Sequence, residues 1–597
     1  MVGCLRYSVG YEKPQERDDH IRSHNRPFKC PARGCFYGEV GFGNNRSLDK
    51  HISLCHTDPA SSRFIFPRLS KPSLPTTDER LRFRRAIRNE NLDLIRDLLN
   101  TNSSLRDRVT EEGYTALQYA ASYGKVASAL HFLRSGSNIG DVNKHGSALN
   151  LACFSAQTEM VRFLLSNSRC AEDVNSKDKW GNTPLLATLK SRHDRGSTTI
   201  RVDILRLLLE DGRVTVNSEN NVGWTALSCA ASSGAVEVVR ALLDHDGPGI
   251  EIDAKDNKGR TALSWAASTG VAGVVRALLD HGGPGIEINA KDNEGRTALS
   301  WAASTGTPEV VRTLLDHDRP GIEVDAKDNK GRTALSWAAG RGAAEVVRAL
   351  LDHDGPGIEI NAKDDEGRTA LSWAASRGAA AVVKVFLQHG RGVDVNAKDA
   401  GGRTPLSWAA GAAGQSWLLG MAPTVKELLD HDGTDADARD NEGRTPLSRA
   451  AGEGDLGVVE LLLRRGSGVD VNAKDFRGRT PLSWAASWGF KEQPPLARAR
   501  ARVELAAVQV VKVLLKHDGI DVESRDDEGR TPLSWAASGG AFAVVDAFLG
   551  HGVGVDVNAK DNRGRRPLEW AAAREKPLEI APVVQALVER GGVGGTL

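Results

Sequence analysis

Along most of the chain, apolar residues come in two short bursts separated by a glycine, and the pair of bursts returns at a near-constant interval. The pattern G-x-T-A/P-L-S-W-A-A begins at Gly113 and recurs, with variations, at Gly146, Gly181, Gly223, Gly259, Gly295, Gly331, Gly367, Gly402, Gly443, Gly478, Gly529 and Gly564, thirteen copies in all. Four consecutive intervals from Gly223 to Gly367 are 36 residues each, and phrases such as AKDNKGRTALSWAA return almost verbatim. A period of this length means one supersecondary module used many times. Such a module is too small to bury its own apolar face and gains a core only by stacking on its neighbours.

One unit shows how the letters make structure. Thr261 is placed to cap a first helix, and later copies put Pro directly after that Thr (Pro405, Pro446, Pro481, Pro532), where a missing N–H costs least. Leu263, Ala266 and Ala267 lie on its packing side, the small alanines allow close helix approach, and Gly270 ends it. Val274, Val275, Leu278 and Leu279 then follow at the spacing of a second amphipathic helix, which the Gly-Pro region around Gly282 to Gly285 terminates. The Asp292 to Gly295 step reads as a tight turn between two short extended arms, with Gly free to take positive φ.

A turn followed by a helix pair, with Thr-Ala/Pro-Leu opening the first helix, resembles the ankyrin family, whose motif of about 33 residues carries T-P-L-H-x-A at that place. The resemblance covers roughly residues 80 to 597. Two departures stand out. Ser occupies the motif His position (Ser264, Ser300, Ser336, Ser372), so a hydrogen bond of the family must be remade, and DGPG-type residues lengthen the link into each turn. The fold class expected is all-α: an ankyrin-repeat solenoid of about fourteen helix-turn-helix units over 79–597, preceded by a small zinc-finger-like segment.

Before the first full copy, Ala86 to Leu99 matches the second-helix register, with Leu94, Ile95, Leu98 and Leu99 at the Val-Val-Leu-Leu positions, and reads as an amino-terminal cap. Its other side is Arg-rich (Arg80, Arg82, Arg84, Arg85, Arg88), as a solenoid end facing water requires. Three intervals are longer: 42 residues from Gly181, 41 from Gly402 and 51 from Gly478. Their extra residues, around Lys190 to Thr199, Gly414 to Pro423 and Lys491 to Arg502, all fall between the two helices of a unit. Arg498, Arg500 and Arg502 in the longest one read as a solvated loop or helix start rather than as a targeting run or a site for an acidic partner.

Charge divides the chain. Lys plus Arg (78) and Asp plus Glu (77) nearly cancel, so no chain-wide field recruits nucleic acid or membrane, yet residues 1–75 hold 12 basic against 7 acidic side chains. Neither a secretory leader nor 18 consecutive apolar residues is present, which points to an intracellular protein, cytoplasmic or nuclear. In that reducing setting the early cysteines are better metal ligands than disulfide partners, and Cys153, Cys170 and Cys229 in the repeats are expected to stay unbridged. Cys30 and Cys35 are followed by His51 and His56, a set of ligands that suits tetrahedral zinc, with Phe42 and Leu48 for a small core. This resembles a two-cysteine, two-histidine zinc finger of the kind found beside ankyrin arrays in fungal proteins, with Cys55 a competitor for His56. Upstream, His20 and His24 precede NRPFKC, which looks like the linker between tandem fingers, while the first expected cysteine would lie before Met1. The organisation expected is a degenerate or truncated finger at 1–28, a zinc-binding finger at 29–58, a linker at 59–78 and repeats at 79–597.

The resemblance implies a protein-interaction scaffold that grips partners by turn tips and first helices. Lys258, Glu294, Lys330 and Glu366 alternate in sign at one turn position, a variation that tunes recognition or drifts freely in solvent. With their neighbours Asn257, Arg260, Asn293, Arg296, Asn329, Arg332, Asp365 and Arg368 they form the candidate partner-binding set. Nucleic-acid binding through the finger is the weaker alternative, because one finger reads about three base pairs. An enzyme is disfavoured: the Asp-His pairs at Asp244, Asp280, Asp316, Asp352 and Asp430 recur with the scaffold period, and no phosphate loop or H-E-x-x-H helix occurs. Zinc is the one cofactor expected, membrane is not a partner, and a monomer is expected of such an array.

Overall fold

The computed structural model describes residues 75–591, apart from 112, 139–140, 168–173, 191–197, 246–248, 282–285, 318–320, 354–356, 390–391, 413–420, 467, 488–496, 552–553 and 574–576. The candidate finger (Cys30, Cys35, His51, His56), the degenerate finger and most of the linker lie outside the described residues, as do Gly282 to Gly285 and at least half of each insertion. Among the described residues there are helices and turns but no strand beyond the isolated bridge of Asn143 with Gly146.

Each unit follows from its letters. Thr261 takes extended backbone and its Oγ1 accepts the Ser264 N–H at 3.3 Å, which opens the helix Ala262–Thr269. Ser264 Oγ lies 3.3 Å from Thr261 Oγ1, so the serine that replaces the motif histidine is satisfied inside its own cap. Leu263, Ala266 and Ala267 are buried, and Gly270 closes the helix at φ +76°. The second helix, Ala272–His281, buries Val274, Val275, Leu278 and Leu279 completely. Each such side chain contributes about 2 kcal/mol of burial. First helices pack on first helices and second on second along the series, as between Ala262–Thr269 and Ala298–Thr305, or Ala272–His281 and Pro308–Leu315.

The turns are tied to one another as well. Asn293 N–H donates to the Lys258 carbonyl and its amide to the Asn257 carbonyl, and Asn329 repeats both bonds one unit later on Glu294 and Asn293. Lys291 Nζ donates to the Lys327 carbonyl and Lys327 to that of Lys363, each at 3.0 Å. A third rung runs through Asn289, whose amide donates to the Gly321 carbonyl while its Oδ1 accepts the Glu323 N–H. These bonds span 32 to 36 residues, so backbone polarity left over by each turn is satisfied by the neighbouring unit.

The amino-terminal pair is Thr77–Arg88 and Leu92–Thr101, with Phe83, Ile87 and Ile95 fully buried while Leu94, Leu98 and Leu99 are half-buried. Arg82, Arg85 and Arg88 face solvent, and Arg80 and Arg84 are half-buried. In the longest insertion the second helix is extended backwards to Ala497–Leu515, 19 residues, so Arg498, Arg500 and Arg502 belong to a helix start rather than a loop.

Candidate functional site

From Asp256 to Asp561 each turn is built around one buried carboxylate. Asp328 Oδ1 accepts the N–H groups of Lys330 and Arg332 at 2.9 Å, and Oδ2 accepts Arg332 Nε at 3.0 Å and Trp337 Nε1 at 3.2 Å. The Arg332 guanidinium then lies over the Trp337 ring, 3.9 Å from its centroid. The same Asp-Arg-Trp cluster forms at Asp256, Asp292, Asp364, Asp399, Asp475, Asp526 and Asp561. At Asp440 the tryptophan is replaced by Arg449, whose Nη1 reaches Asp440 Oδ2 at 3.4 Å. Burial, with Arg444 beside it, pulls the Arg449 guanidinium below its ordinary value.

This arrangement sorts the twelve candidate residues. Arg260, Arg296, Arg332 and Arg368 are clamped on Asp256, Asp292, Asp328 and Asp364 and stacked on the following tryptophans. Asn257, Asn293 and Asn329 give their amides to the preceding turn, and Asp365 donates its backbone N–H to the Lys330 carbonyl. Lys258, Glu294, Lys330 and Glu366 stand at the exposed tips, with Glu294 and Glu366 each 3.0 Å from the arginine two residues on. The structure therefore brings the set together as four consecutive tips, in which the Lys and Glu ends face water and the Arg ends hold the turn.

Sequence reasoning passed over the tryptophans. Trp265, Trp301, Trp337, Trp373, Trp408, Trp484, Trp535 and Trp570 occupy one position of successive first helices, half-buried and held in place by Asp and Arg. Their strict recurrence in L-S-W-A-A was the available signal. Between Trp337 and Trp373 the row opens into a groove of about 620 Å³, rimmed by Arg332, Arg341 and Arg377. Nearer the amino terminus the turn tips are aromatic instead: Tyr114 and His145 rings lie 4.8 Å apart, His145 and Trp180 6.4 Å, and Trp180 is half exposed. These line a cleft of about 650 Å³ with Phe154 and Lys190.

The repeated Asp-His letters pair across units rather than within them: Asp244 with His281 at 4.0 Å, Asp280 with His317 at 3.2 Å and Asp352 with His389 at 3.8 Å. They lie at the ends of second helices, where histidine also meets the negative pole. Cys153 and Cys229 are buried and unbridged, and burial pushes the Cys229 thiol up to about 12, which removes it as a nucleophile at neutral pH. Cys170 lies outside the described residues. Among the described residues no group of three His, Cys, Asp or Glu side chains is placed to hold a metal ion, and no helix is long and apolar enough to cross a membrane.

A family model described as "Ankyrin repeats (3 copies)" matches residues 83–178, 170–256, 199–292, 248–328, 284–364, 356–419, 416–493 and 501–593. Among curated proteins, the chain is 35% identical over 65 residues to the zinc finger transcription factor ace1 of Hypocrea jecorina, 11% of this chain and 8% of that one. It is 26% identical over 264 residues to the transient receptor potential cation channel subfamily V member 1 of Cavia porcellus, 39% of this chain and 31% of the channel. It is 28% identical over 134 residues to the human transient receptor potential cation channel subfamily A member 1, 22% of this chain and 11% of the channel. The chain thus spans less than a third of the length of each of these relatives.

Proposed function

Since the chain belongs to the ankyrin-repeat family, we propose that it is a non-enzymatic scaffold or adaptor that holds other proteins along its first helices and turn tips. One observation carries the reading: unit after unit leaves a half-buried, pre-oriented tryptophan on the same face, next to tips whose charge changes from one unit to the next. Ordered aromatic rings lose little conformational freedom on binding, which favours them as contact residues. The test is affinity capture with the full chain, with and without charge reversal at Lys258, Glu294, Lys330 and Glu366. Loss of specific partners on reversal is the expected result. Capture of every partner regardless of the reversal would remove the tips from the recognition surface.

We further propose that Cys30, Cys35, His51 and His56 hold one zinc ion, which would tie together a segment too short to build a core of its own. The ligand spacing supports this, as does the short match to a fungal protein named as a zinc finger factor. The same match favours a second reading, a transcription-associated regulator in which the finger touches nucleic acid. Elemental analysis of the purified chain should give one zinc, lost in Cys35→Ser. Anisotropy with a DNA duplex across a salt series separates a structural finger from a DNA-binding one, because phosphate contacts weaken steeply with salt. Zinc content unchanged by Cys35→Ser and His51→Ala would reject the site.

A further inference from the structure

The row of tryptophans is nearly uniform, but its surroundings change at two successive units. In the units opening at Gly259 and Gly295 the first helix ends in Ser268-Thr269 and Ser304-Thr305, whose hydroxyls all turn back to carbonyls of their own helix at 2.7 to 2.9 Å. In the next two units the threonine position carries Arg341 and Arg377, both exposed, and the serine before Arg341 becomes Gly340. A Cβ added at Gly340 would touch the Trp373 ring at 3.5 Å, so a side chain there would occupy part of the space beside that ring. That space belongs to the groove of about 620 Å³ with Trp337 and Trp373 as walls.

Its electrostatics are one-sided. Arg332 at the rim is neutralised by buried Asp328, whereas among the described residues no carboxylate pairs with the Arg341 or Arg377 guanidinium group. Among the described residues no Asp or Glu lines the groove. We propose that this groove docks an acidic peptide segment of a partner protein, with carboxylates on Arg341 and Arg377 and an apolar side chain between the tryptophan rings; this deepens the scaffold reading and rests on it. First helices of successive units stack about 10 Å apart, and an extended peptide advances about 3.3 Å per residue. The two carboxylates therefore belong three residues apart along a strand that runs with the stack. Two cations one unit apart suit such a short segment better than a nucleic-acid backbone, which needs a longer basic track.

The experiment is fluorescence anisotropy on the full chain with a labelled peptide Gly-Glu-Leu-Phe-Glu-Gly, its Gln-for-Glu counterpart and an oligothymidylate. The acidic peptide should bind at least about tenfold more tightly than the Gln peptide, with salt weakening the preference. Arg341→Thr with Arg377→Thr, which installs the residue that Thr269 and Thr305 already carry, should remove that preference, and Arg341→Lys with Arg377→Lys should keep most of it. Gly340→Ser should weaken binding by filling part of the space beside the Trp373 ring. Equal affinity for both peptides, indifference to the Thr pair, tighter binding of oligothymidylate or no binding of any probe would each overturn the groove proposal. Capture of proteins that depends on the four turn tips would, in those cases, leave the scaffold reading standing; loss of both results removes it.

Discussion

At the scale of the residue, the junctions between units divide into those that carry a side-chain amide and those that carry a carboxyl. Asn217, Asn289, Asn361, Asn396 and Asn472 each accept an N–H from the next unit and donate to a glycine carbonyl. Asp253, Asp325, Asp437 and Glu523 occupy the same position and make only the accepted bond, and Oδ1 of Asp253 and Asp437 is buried without a partner. Burial holds the Asp253 carboxyl above the ordinary carboxylate range, helped by the Glu287 carboxylate and opposed by the Glu287 N–H and Lys255. A carboxyl that holds its proton more tightly folded than unfolded costs nothing below about pH 4, and it destabilises the fold increasingly as pH rises through its raised value. Asp253→Asn should therefore stabilise the chain at pH 7, where it removes the cost of ionising a partly buried carboxyl, and by much less at pH 4, where that cost is absent. Urea midpoints at the two pH values check this, and an equal gain at both would show that ionisation is irrelevant there.

At the scale of the element, the helix pair was legible because its signals are local. The cap at Thr261, the stop at Gly270 and the Val-Val-Leu-Leu face all act within one turn of helix, and each appears where the spacing put it. The turn glycine was legible as a positive-φ position, but its second duty was not. A Cβ on Gly331 would sit 2.8 Å from the Asp365 backbone nitrogen and 2.6 Å from its Oδ1, so this glycine also lets the next turn approach. Gly331→Ala should cost more than about 1 kcal/mol, since φ is +71° and backbone must move. Hydrogen exchange should place the loss at the Asp364 to Gly367 turn as well as at Asp328 to Gly331. A change confined to the mutated turn would mean that the two turns are not coupled.

At the scale of the whole molecule, stability is a sum of units and of interfaces between neighbours. Removing residues 295–330, one full 36-residue period, joins Glu294 to Gly331 and restores every interface with an equivalent one. The shortened chain should lose helical circular dichroism in proportion and keep a cooperative urea transition. Removing only residues 295–306 leaves the second helix Pro308–Leu315 without its first and should lower the midpoint sharply. If both deletions behaved alike, nearest-neighbour stacking would not be what holds the array together.

The sequence alone determined the module, its number, its caps and the places where insertions fall, because each depends on contacts a few residues long that are written into a repeating pattern. Tertiary structure decided which polar side chains remain available. Arg260 and Lys258 read equally well as partner contacts, yet folding brings Asp256 and Trp265 onto the first and leaves the second in water. The same holds for Asn293, whose partner lies 36 residues away, one whole period. A bond between equivalent positions of adjacent units recurs at the period of the motif itself, so only the distance in space separates a residue that holds the stack from one that faces outward.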